Sequence, residues 1–328
     1  MKIPPRYTIT SEMLALLAEI EASRMFFSSL PLPLPLKEKI QRVSLLKSSL
    51  FSARIEGNPL TLPDLESKKT GSDKKREIFN IIEAVRFIDN RIHKGKLEKQ
   101  VLLELHKRVL KGINSDAGYF RKEVSAIFNT AGVAVYMPPP PSEIPSLLKH
   151  LFAYINSGEE KIPLITAFVS HLVFEKIHPF IDGNGRVGRL LIATILKVKG
   201  WDFPFTVPFE EFLDEHKDSY YFHLDRGAKE TNEYLLFMLQ AFHEQIERIK
   251  KQIDEELTKT EKIFLPPRQE EIYNIIKDHV VVSFDRIRRR FLKVPPRTLR
   301  YDLKKLVDGG LVEKSGETKG SYYRVKKG

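Results

Sequence analysis

The chain has 328 residues, 42% of them hydrophobic and 30% charged, with a net charge of +11. This length allows two or three domains with real cores, and the absence of cysteine excludes disulfides, thiolate metal sites and cysteine nucleophiles. No apolar run approaches the roughly 18–20 residues that span a bilayer, and the N-terminus lacks the apolar segment of a secretory signal. We therefore expect a cytoplasmic protein that does not contact membranes.

The positive charge is concentrated at the C-terminal end. Residues 268–328 hold 16 Lys/Arg and 8 Asp/Glu, and so carry +8 of the total charge. Basic domains of this kind often bind a polyanion such as nucleic acid. Solvated charges without any partner would give the same count.

Helical periodicity dominates most of the chain. Apolar spacing predicts helices over 11–27, 37–55, 73–93 and 97–110, with the prolines of 31–35 as a linker after the first. The segment 124–137 places β-prone residues around Asn129-Thr130-Ala131-Gly132, which predicts a short β-hairpin. After four prolines, helices are predicted again over 142–156, 161–177, 185–199 and 209–251.

Leu265-Pro266-Pro267 marks a domain boundary. Beyond it the pattern predicts three short helices, over 269–277, 283–291 and 297–307. Two strands around a turn follow, over 311–313 and 322–325. That order is typical of a winged helix-turn-helix, which we place at 268–328. The predicted fold is thus mainly α, with an N-terminal helical region at 1–95, a helical core with one exposed hairpin at 96–260, and this small C-terminal domain.

One twelve-residue segment joins two of the predicted helices: His178-Pro179-Phe180-Ile181-Asp182-Gly183-Asn184-Gly185-Arg186-Val187-Gly188-Arg189. The second helix begins at about Gly185, so its first turn offers unpaired backbone N–H groups and a positive dipole end to an anion. Gly183 and Gly185 let the backbone approach that anion closely. Arg186 and Arg189 lie on neighbouring faces of the helix and are suited to forked phosphate binding.

Two further side chains of the segment complete this chemistry. Asp182 is a hard oxygen ligand suited to Mg²⁺, and His178 titrates near neutrality and can accept a hydroxyl proton. Each residue alone has a structural explanation, but their combination favours a phosphate-handling site. The Gly183-x-Gly185-x-x-Gly188 spacing also matches a dinucleotide fingerprint, which we reject because that fingerprint must follow a strand.

This segment resembles the hallmark of the Fic (filamentation induced by cAMP) family, His-Pro-Phe-x-Asp/Glu-Gly-Asn-Gly-Arg-x-x-Arg, at every fixed position. The resemblance extends over roughly 11–251. It implies a Fic-type helical bundle with its catalytic core at 96–260, and transfer of AMP from Mg-ATP to a Ser, Thr or Tyr hydroxyl of a target protein. Some relatives transfer UMP or phosphocholine, and some form homodimers, so both alternatives stay open.

The resemblance also implies a role for each motif residue. His178 would deprotonate the target hydroxyl, and Asp182 would hold Mg²⁺ on the phosphates. The anion hole would be formed by Gly183, Asn184 and Gly185. The outer phosphates would be held by Arg186 and Arg189, and the loop would be packed by Phe180.

Residues outside the motif receive roles from the same resemblance. The hairpin with Val124, Val133 and Val135 is similar to a flap that binds an extended target segment by strand addition; it is otherwise a structural hairpin. Tyr220 and Tyr221 are candidates for a nucleobase pocket, although an aromatic pair is also common in cores.

The segment Ser52-Ala53-Arg54-Ile55-Glu56-Gly57 resembles the inhibitory helix signature of one Fic class. Ser52 and Glu56 are four residues apart and share a helix face, within a helix of about 37–57. The resemblance implies that Glu56 pairs with Arg189 and inhibits transfer. In an alternative, Glu56 orients a water that removes AMP from a modified target.

In the C-terminal domain, 297–306 is similar to a winged-helix recognition helix. Arg297, Arg300 and Lys304 face outward and are candidates for contact with DNA phosphates. Winged helices also bind proteins. A second class of function is therefore a DNA-binding regulator whose helical part senses a nucleotide without turning it over.

Overall fold

A computed structural model describes residues 1–66, 72–128, 134–261, 265–279, 281–316 and 321–326. The chain divides into two compact units, Met1–Ile253 and Asp254–Gly328. Both are dominated by helices, which confirms the predicted mainly α fold. Within the described residues, no helix is both long and apolar enough to cross a bilayer.

The first unit is a helical bundle with one small hairpin. Its helices are α1 (Ser11–Ser29), α2 (Leu34–Ile55), α3 (Leu62–Glu66), α4 (Ser72–Arg91), α5 (Lys99–Val109), α6 (Ile144–Ser157), α7 (Pro163–Ile177), α8 (Asn184–Lys199), α9 (Phe209–Glu215), α10 (Lys217–Arg226) and α11 (Thr231–Glu261), which continues past the division. Its strands are β1 (Ile127–Phe128) and β2 (Ala134–Tyr136), which pair antiparallel.

Helix α7 forms the centre of this bundle. Every residue from Leu164 to Ile177 is buried, as expected of a helix that is apolar on all sides. Helix α8 packs along it, and α2 packs against α9 through ion pairs of Lys47 with Glu211 (2.9 Å) and Arg54 with Asp214 (3.0 Å). The segment between α7 and α8 is therefore attached to two closely packed, largely buried helices.

Two predicted helices differ from those observed. Helix α2 begins at Leu34, before the predicted start at 37. Pro33 is its N-cap and Pro35 lies in its first turn, where proline costs no hydrogen bond. The predicted helix 209–251 is divided into α9, α10 and α11. His216 leaves the helical backbone region between the first two (φ −116°, ψ 39°).

After the end of α11, the described part of the second unit contains three helices and a three-stranded antiparallel sheet of order β3-β5-β4. The elements are α12 (Pro267–His279), β3 (Val282–Ser283), α13 (Phe284–Arg290), α14 (Pro296–Asp308), β4 (Val312–Ser315) and β5 (Tyr322–Val325). Strand β3 was not predicted, because a strand of two residues is too short to show an alternating apolar and polar pattern. The predicted turn at 316–320 lies mostly outside the described residues. The core is formed by Ile272, Ile276, Ile287, Leu299, Leu303, Leu306, Val312 and Tyr323.

Candidate active site

The loop between α7 and α8 closes on itself through buried contacts. The Asn184 side chain accepts a hydrogen bond from Phe180 N (2.9 Å) and donates one to Phe180 O (2.8 Å). The Phe180 ring is fully buried and stacks on the His106 imidazole with ring centroids 3.7 Å apart. Since the Asn184 amide is occupied in this way and 2% exposed, only its backbone N–H is available to an anion.

His106, which the motif did not reveal, holds the same loop from α5. Its Nδ1 accepts a hydrogen bond from Gly118 N (2.8 Å). The ring proton therefore lies on Nε2, which donates to Asp182 O (3.0 Å). His106 thus fixes the backbone of the loop at Asp182 as well as the ring of Phe180.

His178 caps the C-terminus of α7 in a left-handed conformation (φ 49°, ψ 61°). Among the described residues it is the one non-glycine with positive φ, and such conformations concentrate at functional sites. The pKa of His178 is lowered to about 4, mainly by burial and in part by the charge of Arg121, while a hydrogen bond with the Glu175 backbone opposes the shift. The imidazole is therefore neutral at neutral pH and able to accept a proton.

Arg121 fixes the backbone on both sides of this histidine, a role that the sequence analysis missed. Its Nε donates to His178 O (2.8 Å), and its backbone N donates to Pro179 O (2.9 Å). Its two terminal nitrogens donate to Glu123 O (2.9 Å) and Pro139 O (2.5 Å), at the two ends of the hairpin segment. The 3% exposed guanidinium therefore ties the hairpin to the histidine.

The start of α8 presents a glycine-lined surface. Gly183 is its N-cap with φ 82°, a conformation that favours glycine. A Cβ at Gly185 would overlap the Glu56 carboxylate and lie 3.1 Å from Arg189 Nη1. The Glu56 carboxylate thus occupies the space directly against the first turn of α8, where backbone N–H groups and the helix dipole favour an anion.

Arg189 lies behind that position and is 1% exposed. Its Nη2 donates to Glu56 Oε1 (3.0 Å) and to Ser52 O (2.8 Å), while its Nε donates to Ser52 Oγ (3.0 Å). The pairing of Glu56 with Arg189 that the resemblance implied is present. Both α2 residues of the inhibitory signature contact the same guanidinium.

Arg186 does not face the anion position as Arg189 does. One of its terminal nitrogens donates to Glu77 on α4, and the other donates to Asp182 Oδ1 (2.8 Å). Its side chain is 7% exposed. Both of its terminal nitrogens are thus engaged by carboxylates beside the loop, and its expected role in holding outer phosphates stays a prediction.

Asp182 is the most exposed charged group of the loop. Its Oδ1 accepts hydrogen bonds from Gly183 N (2.6 Å) and Arg186, and its side chain is 48% exposed. No group of three metal-ligating side chains occurs in the part of the chain that the structure describes.

The two tyrosines of α10 have separate environments. Tyr220 is 1% exposed, and its hydroxyl lies 2.9 Å from His171 Nε2. Its assignment to a nucleobase pocket needs correction, since the ring is enclosed in the core. Tyr221 is 42% exposed and donates to Ile55 O (3.2 Å) at the end of α2, so it still borders the site.

The hairpin is anchored close to the loop. Strand β2 ends at Tyr136, whose hydroxyl donates to Lys176 O (2.8 Å) near the end of α7. Val124 precedes β1 and is 68% exposed. Val133 lies outside the described residues, and Val135 belongs to β2.

The second unit has its own candidate surface. The outward face of α14 exposes Arg297, Arg300 and Lys304. Arg300 and Lys304 also line a cavity of about 850 Å³ with Lys314 of β4, Tyr323 of β5 and Phe284. Arg300 stacks over the Phe284 ring at 4.5 Å. These basic side chains therefore converge on one cleft between α14 and the sheet.

Known proteins resemble this chain in sequence and in fold. Residues 96–196 match the model of the Fic/DOC family. Protein adenylyltransferase Fic of Drosophila willistoni is 28% identical over 65% of this chain and 43% of that protein, and its counterpart in Drosophila ananassae is 31% identical over 54% and 35%. The chain spans less than half the length of these curated relatives.

Two solved structures share the fold. A Fic family protein from Desulfovibrio desulfuricans G20 has a TM-score of 0.75 and 22% identity, and the match covers 99% of both chains. A fragment of Fic-1 from C. elegans has a TM-score of 0.58 and 21% identity, covering 72% of this chain and 70% of that one. Residues 96–196, with the loop from His178 to Arg189 inside them, are thus the part of the chain that matches the Fic/DOC family.

Proposed function

We propose that this chain is a protein adenylyltransferase, which transfers AMP from ATP to a Ser, Thr or Tyr hydroxyl of a target protein. One observation carries the proposal: a neutral imidazole at His178 stands beside an anion-binding helix start that is backed by Arg189. The Drosophila relatives are named as protein adenylyltransferases, which supports the same chemistry.

In the proposed reaction, the target hydroxyl attacks the α-phosphorus of ATP. His178 accepts the hydroxyl proton as the new O–P bond forms. The bond between the α-phosphorus and the bridging oxygen breaks, and pyrophosphate leaves with that electron pair. The backbone N–H groups at Gly183 and Gly185 and the α8 dipole stabilise the charge that develops on the phosphate oxygens. Arg189, once released from Glu56, holds the outer phosphates.

The loop fits Mg²⁺ as the metal partner of ATP. Mg²⁺ binds through one or two carboxylates plus substrate phosphates and waters. Asp182 offers a single half-exposed carboxylate next to the N-terminus of α8. Bound there, the ion would neutralise phosphate charge. Asp182 is the residue that would hold it.

We further propose that Glu56 inhibits transfer. Its carboxylate occupies the position against Gly185 and pairs with Arg189, so it competes there with any phosphate for both the helix start and the guanidinium. The side chain is 29% exposed, and its removal leaves α2 itself in place.

The test uses labelled ATP and mass spectrometry. Glu56→Gly is expected to raise AMP incorporation, on the chain itself or on a target, and Glu56→Gln should have a weaker effect in the same direction. Adding His178→Ala to Glu56→Gly should reduce incorporation by about 10²–10⁴-fold, the usual contribution of a general base. Full incorporation by the double variant would remove His178 from this role.

Two alternatives give different results in the same assay. An enzyme that removes AMP would release it from a pre-modified target without ATP. A nucleotide-sensing regulator would bind ATP without any mass increase on protein, even after Glu56→Gly.

We propose that the hairpin binds an extended segment of the target by strand addition. The support is its position: Tyr136 and Arg121 tie it to the α7 end and to His178. A target strand paired with β2 would pass close to the imidazole.

For the second unit we propose a winged helix-turn-helix that binds DNA. The convergence of Arg300, Lys304 and Lys314 on one cleft carries this proposal, together with the charge of 268–328. With the full chain, fluorescence anisotropy on duplex DNA should show affinity falling steeply with salt. Arg300→Gln and Lys304→Gln should each reduce the salt slope by about one, and Lys229→Gln in the first unit should not. Salt-independent or absent binding favours a protein partner.

A further inference from the structure

Helix α4 reaches the phosphate-handling loop through Glu77. This carboxylate is 9% exposed and accepts a hydrogen bond from a terminal nitrogen of Arg186. The other terminal nitrogen of Arg186 donates to Asp182 Oδ1 (2.8 Å). The arginine is therefore a bridge between a buried carboxylate on α4 and the half-exposed carboxylate on the loop.

Asn58 holds the opposite side of Glu77. Its Nδ2 donates to Glu77 Oε2 (2.8 Å) and to Lys74 O (2.9 Å), and its Oδ1 accepts from Leu60 N (3.1 Å). Asn58 is 3% exposed and lies two residues after Glu56. A continuous chain of hydrogen bonds thus runs from the end of α2 through Glu77 and Arg186 to Asp182.

The two carboxylates that contact the motif arginines have different positions. Glu56 lies against Gly185, in the space that an anion would take. Glu77 lies on α4 and is buried, with both oxygens occupied by Asn58 and Arg186. A buried guanidinium needs such a counter-charge, since its removal leaves an uncompensated charge. Glu77 therefore supports Arg186 without occupying the phosphate position.

We infer that Glu77 and Asn58 are positioning residues for Asp182. They hold Arg186, which orients the Asp182 carboxylate toward the side where a cation and phosphates would bind. This inference rests on the proposed function. It assigns Arg186 to the support of Asp182 and leaves Arg189 as the phosphate-binding arginine.

A rival arrangement makes the opposite prediction. If Arg186 were a phosphate-binding residue sequestered by Glu77, then Glu77 would be a second inhibitory carboxylate. Neutralising it would free the guanidinium and strengthen ATP binding, with or without a metal. If Glu77 positions Asp182, neutralising it weakens only the metal-dependent part of binding.

The experiment measures binding of α,β-methylene ATP to the full chain by calorimetry, in Mg²⁺ and in EDTA. The reference protein carries Glu56→Gly, and Glu77→Gln is added to it. We expect the Kd in Mg²⁺ to rise about 10–100-fold, the usual effect of residues that support a metal ligand, while the Kd in EDTA stays within about twofold. Glu83→Gln is the matched control, because Glu83 lies on the exposed face of α4.

Each other outcome has a definite meaning. Tighter binding in both buffers, or no change in either, overturns the inference while the reference protein still binds Mg-ATP. If thermal unfolding shows that Glu77→Gln does not fold, Arg186→Lys replaces it, and unchanged binding in Mg²⁺ then overturns the inference. A reference protein that does not bind the nucleotide in Mg²⁺ overturns the proposed function and this inference together.

Discussion

His178 combines an unusual backbone conformation with an unusual charge state. Its left-handed φ directs the chain from α7 into the loop, and Arg121 fixes its carbonyl. Burial keeps its imidazole neutral. At neutral pH nearly all of this imidazole is therefore in the form that can accept a proton from a hydroxyl.

This charge state predicts the pH dependence of transfer. The pKa of His178 is lowered from 6.5 to about 4, so the neutral form persists until the pH falls near 4. Incorporation of AMP by the Glu56→Gly protein should therefore stay constant between about pH 7 and 5 and decline below that. The measurement is the initial rate against pH at fixed Mg-ATP, with thermal unfolding recorded in the same buffers. An acidic limb centred near 6.5 in folded protein would contradict the assignment.

The sequence identified the residues of the site that are contiguous, and it missed those that come from elsewhere. His178, Asp182 and Arg189 lie in one segment whose spacing already indicates their chemistry. Arg121, His106, Glu77 and Asn58 belong to other elements and meet the loop only after folding.

At the scale of elements, the packing of α7 on α8 depends on Gly188. A Cβ at this position would overlap the Glu175 carboxylate and lie 2.9 Å from His171 Nδ1. Both neighbours are buried side chains of α7. Any side chain at 188 would therefore separate the two helices that hold the loop.

Gly188→Ala should destabilise the first unit by about 1–3 kcal/mol, the usual cost of overpacking a core, despite the better helix propensity of alanine. The free energy of unfolding from urea titration measures the effect. Gly95→Ala is the matched control, because a Cβ there meets no atom within 4 Å. Equal stability of the two variants would mean that α7 and α8 have room to adjust.

Elements with a strong period were predicted well, and those fixed by local backbone geometry were not. Helix α7 was found almost to its ends, because its apolar run is long. The division into α9, α10 and α11 was missed, since apolar residues continue through the break at His216. The start of α2 was missed because proline breaks a helix in its interior but is accepted in its first turn.

At the scale of the whole molecule, charge and function are divided between two units. The first unit, Met1–Ile253, holds the segment that matches the Fic/DOC family and the contact of Glu56 with Arg189, while residues 268–328 of the second carry +8 of the net charge of +11. The sequence predicted a boundary at 265–267, whereas the chain divides after Ile253, and a three-stranded sheet with order β3-β5-β4 could not be predicted from composition. Pairing of β3 with β5 joins segments about 40 residues apart, a non-local contact without a local signal.

The absence of a side chain at Gly185 serves two opposing occupants. The Glu56 carboxylate fills the space that a Cβ at 185 would take, and the phosphate of the proposed reaction would need the same small volume and the same exposed backbone. A larger residue at 185 would exclude both the carboxylate and the phosphate, so substitutions there cannot produce a permanently active protein. If Glu56 inhibits as proposed, inhibition and transfer can be separated at position 56, where the competing carboxylate is attached to the end of α2.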